Sequence, residues 1–143
     1  MVKNEMRKSI GIVIPVFNDW TSLELLIGKL DQQADLTEFN LHIFVIDDGS
    51  SEPPGPHCLL GDRRPLVDIQ LVRLCTNLGH QRAIAAGLVI ASRFEDIEAV
   101  VVMDADGEDQ PEDVPRLLAA WGKDANLIVV AKRSQRSGFG GES

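Results

Sequence analysis

Ala99-Val100-Val101-Val102-Met103-Asp104-Ala105-Asp106-Gly107-Glu108 is the stretch whose reading decides the fold. Its five apolar residues leave no polar face, the pattern of a strand covered on both sides in a parallel sheet. Alternate carboxylates follow directly. A buried strand ending this way presents oxygen ligands at the carboxyl edge of a sheet, where Mg²⁺ or Mn²⁺ can bridge them to a diphosphate. The same residues also suit an ordinary strand-to-helix connection, because Asp and Gly supply turns and N-caps.

Working outward, further near-continuous apolar runs at 10–16, 41–46 and 127–131 predict more buried strands, and 67–74 predicts a fifth. Asp68, Gln70 and Arg73 interrupt that fifth run, which places it nearer an edge. Between the strands lie helix-length segments. Residues 20–30 carry Leu23, Leu26, Ile27 and Leu30 as a helical stripe, with Asp19 or Thr21 as the expected cap. Residues 81–94 place Ile84, Leu88 and Ala91 on one face, with small Ala85, Ala86 and Gly87 permitting close packing. A third helix in 111–121 is expected to begin between Pro111 and Pro115, since both favour a first turn and only one can take its first position. Alternating strands and helices predict an α/β fold: an open, mostly parallel sheet with helices on both faces. The Pro-rich stretch 51–65 reads as a surface loop or edge excursion, and 137–143 as a flexible tail to a single domain, 1–143.

Composition narrows the function. The 143 residues suit one domain, and an apolar fraction of 44% with 25% charged residues is that of a soluble globular protein. No apolar stretch approaches the roughly 20 residues of a membrane span, and the start lacks the apolar core of a secretory signal. A cytoplasmic address is expected. A formal charge of −8 disfavours nucleic acid, which basic surfaces hold. Cys58 and Cys75 form no CxxC, and His42, His57 and His80 show no metal-ligand spacing.

Four polar clusters follow four of the strands. They are Pro15-Val16-Phe17-Asn18-Asp19, Asp47-Asp48-Gly49-Ser50, Asn77-Leu78-Gly79-His80-Gln81-Arg82 and the acidic segment from Asp104. Parallel strands deliver all four to one edge, so a shared site is predicted there.

In this order and spacing, Ile14-Pro15-Val16-Phe17-Asn18-Asp19, Val45-Ile46-Asp47-Asp48-Gly49-Ser50-Ser51, Asn77-Leu78-Gly79 and Met103-Asp104-Ala105-Asp106 resemble family 2 glycosyltransferases of the GT-A fold. The nearest likeness is to the polyprenyl-phosphate branch typified by dolichyl-phosphate mannose synthase, over about 10–136. The resemblance implies a domain that binds a nucleotide-diphosphate sugar, such as a UDP- or GDP-sugar, with Mg²⁺ or Mn²⁺. It implies transfer with inversion to a lipid phosphate or glycan acceptor. Pro15, Val16, Phe17, Asn18 and Asp19 would cradle the nucleoside, with Asp19 near the ribose. Asp48 would contact the base while Asp47 braces the loop, Asn77 and Gly79 would shape the pocket, and Arg82 would either approach phosphate or solvate the outer face of its helix. Asp104, Ala105 and Asp106 stand at the DxD motif, so Asp104 and Asp106 would hold the metal. Glu108 stands where this branch often has Gln as a further ligand, a departure that alters the expected coordination. Beside the implied diphosphate, Arg133 and Arg136, with Lys132, would offset charge on the leaving group or form a solvated basic tail.

The family's acceptor-binding half follows the fifth strand, and the resemblance implies a catalytic carboxylate downstream of Ser143, the last residue of the sequence. No residue of the chain is therefore assigned as the catalytic base. The chain is accordingly expected to be either part of a longer enzyme or a naturally shortened protein, binding donor without transferring it, with the inner face of a membrane as a further expected location. Truncation is also expected to leave apolar surface that a second copy would cover, giving a homodimer. The alternative is a non-catalytic nucleotide-binding module that retains only the donor half. A phosphoacceptor receiver domain shares acidic pairs at strand ends but leaves the 15–19 turn and the DxD without a role.

Overall fold

The computed structural model describes residues 7–55, 66–105, 111–121 and 127–130. Chain order is β1 (Lys8–Val16), α1 (Trp20–Ala34), β2 (Phe39–Asp47), β3 (Val67–Arg73), α2 (His80–Ala91) and β4 (Ile97–Val102). A 3₁₀ turn (Pro111–Asp113) then leads into α3 (Val114–Trp121), and β5 (Leu127–Val130) follows. The strands form one sheet in the order β3-β2-β1-β4-β5, and every neighbouring pair is parallel. The half-polar strand β3 does lie at an edge, where its polar residues reach water.

Alternation along the central strands sorts side chains to two cores. Ile10, Ile12, Ile14 and Val16 of β1 join Leu41, Ile43 and Val45 of β2 and Val101 of β4 on one face, beneath α1 and α3. The stripe Leu23, Leu26, Ile27 and Leu30 supplies the α1 side of that core. On the other face Val13, Phe44, Ile46, Val100 and Val102 meet α2. With both faces covered, no position on these strands can be polar without a buried partner, which explains the continuous apolar runs.

Helix α2 approaches the sheet through a narrower surface than its sequence suggests. Its fully buried positions are Ala83, Gly87 and Ala91, spaced four apart, while Ile84 and Leu88 flank them and Ala85 faces solvent. A Cβ on Gly87 would lie 2.5 Å from Cγ1 of Val13, so glycine sets the helix-to-strand distance. His42 is a packing residue, stacked on Phe44 with ring centroids 4.3 Å apart and met edge-on by Phe94.

Three further expectations are corrected in detail. Asp19 occupies the N-cap position of α1, but its side chain makes no capping bond; the backbone carbonyl of Asp19 accepts from the Leu23 N–H instead. Helix α2 begins one residue early, at His80, and ends at Ala91 rather than 94. Strand β4 ends at Val102, although the Met103 N–H still donates to the carbonyl of Val13 at 3.0 Å. The third helix begins between its two prolines, as expected.

The direction of winding fixes where a ligand can sit. From β1 the chain steps outward to β2 and β3, then returns across the sheet to β4 and steps outward on the other side to β5. Strand order therefore reverses between β1 and β4, and loops leaving their carboxyl ends diverge there, opening a crevice. At the opposite edge Arg7 donates to the carbonyls of Ala34, Thr37 and Phe39, tying the end of α1 to the start of β2.

Candidate functional site

Three loops at the carboxyl edge are bonded to one another. The first follows β1. Asn18 has φ of 64°, a left-handed conformation that Asn tolerates better than most residues. This turns its N–H onto Oγ of Ser50 at 2.8 Å, while its side-chain oxygen accepts from the Glu52 N–H at 3.0 Å. Trp20 adds an indole N–H bond to the Glu52 carbonyl at 2.8 Å. The β1 and β2 loops are thus bonded to each other at three points.

The second loop holds the adjacent aspartates Asp47 and Asp48, both buried. Asp47 accepts from the Ser50 N–H at 2.9 Å and pairs with Arg73 Nε of β3 at 3.3 Å. That is the bracing role expected of it. Asp48 braces as well: its carboxylate accepts from the N–H groups of Leu78 at 2.7 Å and Gly79 at 3.1 Å. Asn77 returns a bond from its amide to the Asp48 carbonyl at 3.0 Å. Gly49, at φ of 75°, lets the loops touch backbone to backbone, since a Cβ there would stand 2.5 Å from the Asn77 nitrogen. A buried carboxylate needs such partners, and two backbone donors provide them without a cation.

The third loop delivers α2. Gly79 precedes it at φ of 99°, and His80 is the first helical residue. From there the imidazole Nε2 reaches Oδ1 of Asp104 at 2.7 Å. Asp104 follows β4, so this bond joins α2 to the strand on the far side of the reversal point. An ionised carboxylate can only accept, so the Nε2–H tautomer of His80 is the one that donates in such a bond.

Not all expected site residues offer side chains at this edge. Pro15 and Val16 are buried in the sheet, and Ala105 is buried in the core beneath α1 and α3. Phe17 and Asp19 are exposed, Asn18 is half-buried, and Arg82 is exposed on the first turn of α2. Asp106, Glu108, Arg133 and Arg136 lie outside the described residues, as do Lys132, 56–65 and 137–143. Ser143, past which the family's catalytic carboxylate is expected, falls in that last segment, so the expectation of a downstream base lies outside the described residues too. His80 went unrecognised in the sequence because its partner lies 24 residues away on another element, and no spacing rule joins them.

Among the described residues, charge at the edge is acidic on balance. Asp19, Asp47, Asp48, Glu52 and Asp104 gather there against the cations of Arg82 and of Arg73, which is paired with Asp47. A diphosphate would meet net repulsion unless a divalent cation came with it. Carboxylate oxygens are the donors that Mg²⁺ and Mn²⁺ prefer, and the one that Asp104 brings to this edge suits such an ion in chemistry. Among the described residues no cluster of three or more potential ligands forms.

A doubly wound parallel sheet with linked acidic loops at its reversal point is an open α/β domain of the kind that takes ligands at its carboxyl edge. The sequence profile of Glycosyl transferase family 2 matches residues 11–142. The chain belongs to that family, and its α/β architecture agrees with the GT-A type. It is 33% identical over 119 residues to the undecaprenyl-phosphate 4-deoxy-4-formamido-L-arabinose transferase of Yersinia enterocolitica, covering 83% of this chain and 35% of that protein. The transferase of the same name from Aeromonas hydrophila is 30% identical over 134 residues, covering 92% of this chain and 39% of the relative. An uncharacterised glycosyltransferase of Bacillus subtilis, YkcC, is 31% identical over 132 residues, covering 90% and 38%. The chain thus spans well under half the length of the curated relatives it matches. Among the described residues no helix is long and apolar enough to cross a membrane.

Proposed function

We propose that this chain is the donor-binding part of a glycosyltransferase, taking a nucleoside-diphosphate sugar together with Mg²⁺ or Mn²⁺ for transfer to a polyprenyl phosphate. The observation that carries the reading is the reversal point between β1 and β4, where the cross-bonded loops after β1, β2 and β3 face Asp104. The names of its relatives support a lipid-phosphate acceptor; a glycan acceptor has no comparable support.

In this reading the nucleoside lies against the joined β1 and β2 loops. The exposed ring of Phe17 and the carboxylate of Asp19, which is not engaged in capping, border it. Asp48 borders the base from its braced position, since a carboxylate oxygen accepting one bond retains a second lone pair. Asp104, with Asp106 and Glu108 in the adjoining segment, would hold the cation. When bound, the cation supplies charge neutralisation for the departing diphosphate. Arg82, and Arg133 and Arg136 beyond β5, would add positive charge near the phosphates. A phosphate acceptor is already anionic and asks little of a general base, whereas a hydroxyl acceptor would require a positioned carboxylate. We place the domain at the cytoplasmic side of a membrane, where a polyprenyl phosphate is accessible, with a homodimer as its assembly.

Calorimetry with UDP- and GDP-sugars tests the donor assignment. Binding in Mn²⁺ that weakens sharply in EDTA, and weakens likewise in Asp106→Asn, is the expected result. Equal affinity with and without metal would remove the metal assignment, and no affinity for any nucleoside diphosphate would remove the whole reading.

A further inference from the structure

We propose that His80 is a positioning residue for the cation and diphosphate site: it fixes the carboxylate of Asp104 through the 2.7 Å Nε2–Oδ1 bond. This inference rests on the donor-site reading above. The terminal torsion of an aspartate is broad and nearly two-fold, so a carboxylate at a strand end swings unless a partner holds its plane. His80 restricts that torsion from a different element.

The bond does little for the fold. The side chains of His80 and Asp104 are 55% and 28% exposed, and pairs open to water contribute little to stability. Yet His80 is itself placed with care. Asp48 grips the two N–H groups just before it, and the left-handed Gly79 sets the start of α2, so the imidazole leaves the first helical position toward β4. The chain of contacts runs from the end of β2, through the β3 loop, to the end of β4, and its last member is the first aspartate of the DxD. Partners that hold a ligating carboxylate matter to affinity far more than to folding.

The test uses the full chain and four variants: His80→Leu, His80→Gln, Asp104→Asn and the His80→Leu/Asp104→Asn double. Mn²⁺ alone is titrated by electron paramagnetic resonance, and UDP and GDP are titrated in Mn²⁺ by calorimetry. His80→Leu is expected to weaken Mn²⁺ binding by about 10- to 100-fold with no change in melting temperature. His80→Gln carries an amide donor at comparable reach and is expected to return affinity to within a few-fold of the parent. In the Asp104→Asn background His80→Leu should add no further loss. Parent-like Mn²⁺ binding by His80→Leu, failure of His80→Gln to rescue, or the same loss in both backgrounds overturns the proposal while leaving nucleotide binding intact. If the parent binds Mn²⁺ and shows the His80 dependence but takes no nucleoside diphosphate, the donor reading falls and the positioning role stands. A parent that binds neither overturns both.

Discussion

Asp48 shows how one residue can serve both the fold and the site. Its buried carboxylate accepts two backbone N–H bonds from the loop that starts α2, so removing it strands both donors and frees the loop. Asp48→Ala is expected to destabilise the protein by about 1.5–3 kcal/mol, the scale of a hydrogen bond to a charged group. Nucleoside diphosphate affinity should fall with it. The exposed Asp19 provides the contrast, because Asp19→Ala should weaken nucleotide binding with no change in the denaturation midpoint. Urea denaturation of the two variants distinguishes them, and an unchanged midpoint for Asp48→Ala would show that its two bonds do not brace the loop. The family resemblance marked both aspartates, yet it divided their duties, bracing to Asp47 and the base to Asp48. Adjacent acidic residues after a strand look alike until the loop they face is placed. His80 was hidden for the same reason.

At the scale of elements, the strands and helices were legible because burial on both sheet faces demands continuous apolar runs, and the α1 stripe repeats every three to four residues. The packing face of α2 was less so. Several small residues stand together at 83, 85, 86, 87 and 91, and only the register on the sheet selects Ala83, Gly87 and Ala91. Gly87 carries the closest approach, with Val13 Cγ1 and Ile46 Cγ1 at 2.5 and 3.1 Å from an added Cβ. Valine is stiff about χ1 and cannot swing aside cheaply. Gly87→Ala should therefore destabilise through overpacking of about 1–3 kcal/mol, which exceeds the ~1 kcal/mol gain in helix propensity. In a Val13→Ala background the collision with Val13 is gone, and the same substitution should become neutral or stabilising. Additive effects in the double variant, read from urea midpoints, would mean that α2 does not rest on Val13.

Across the whole molecule, the two edges of the sheet are used differently. At the amino edge Arg7 closes the structure by bonding to backbone carbonyls. At the carboxyl edge, bonds between loops hold acidic residues around the point where strand order reverses, and the proposed ligand site rests on that difference. The parallel order made convergence of the polar clusters readable in advance, whereas the bonds that lock those loops together depend on side-chain geometry that no spacing encodes. In the proposed function, a nucleoside diphosphate with a divalent cation sits at the carboxyl edge. The most direct measurement is an amide ¹H–¹⁵N NMR titration with UDP and GDP in Mg²⁺. Shifts are predicted for Asn18, Asp19, Ser50, Ser51, His80, Asp104 and Ala105, with Thr37, Phe39 and Asp96 unmoved and the shifts reversed by EDTA. Shifts concentrated at the amino edge, or none with either nucleotide, would contradict the account.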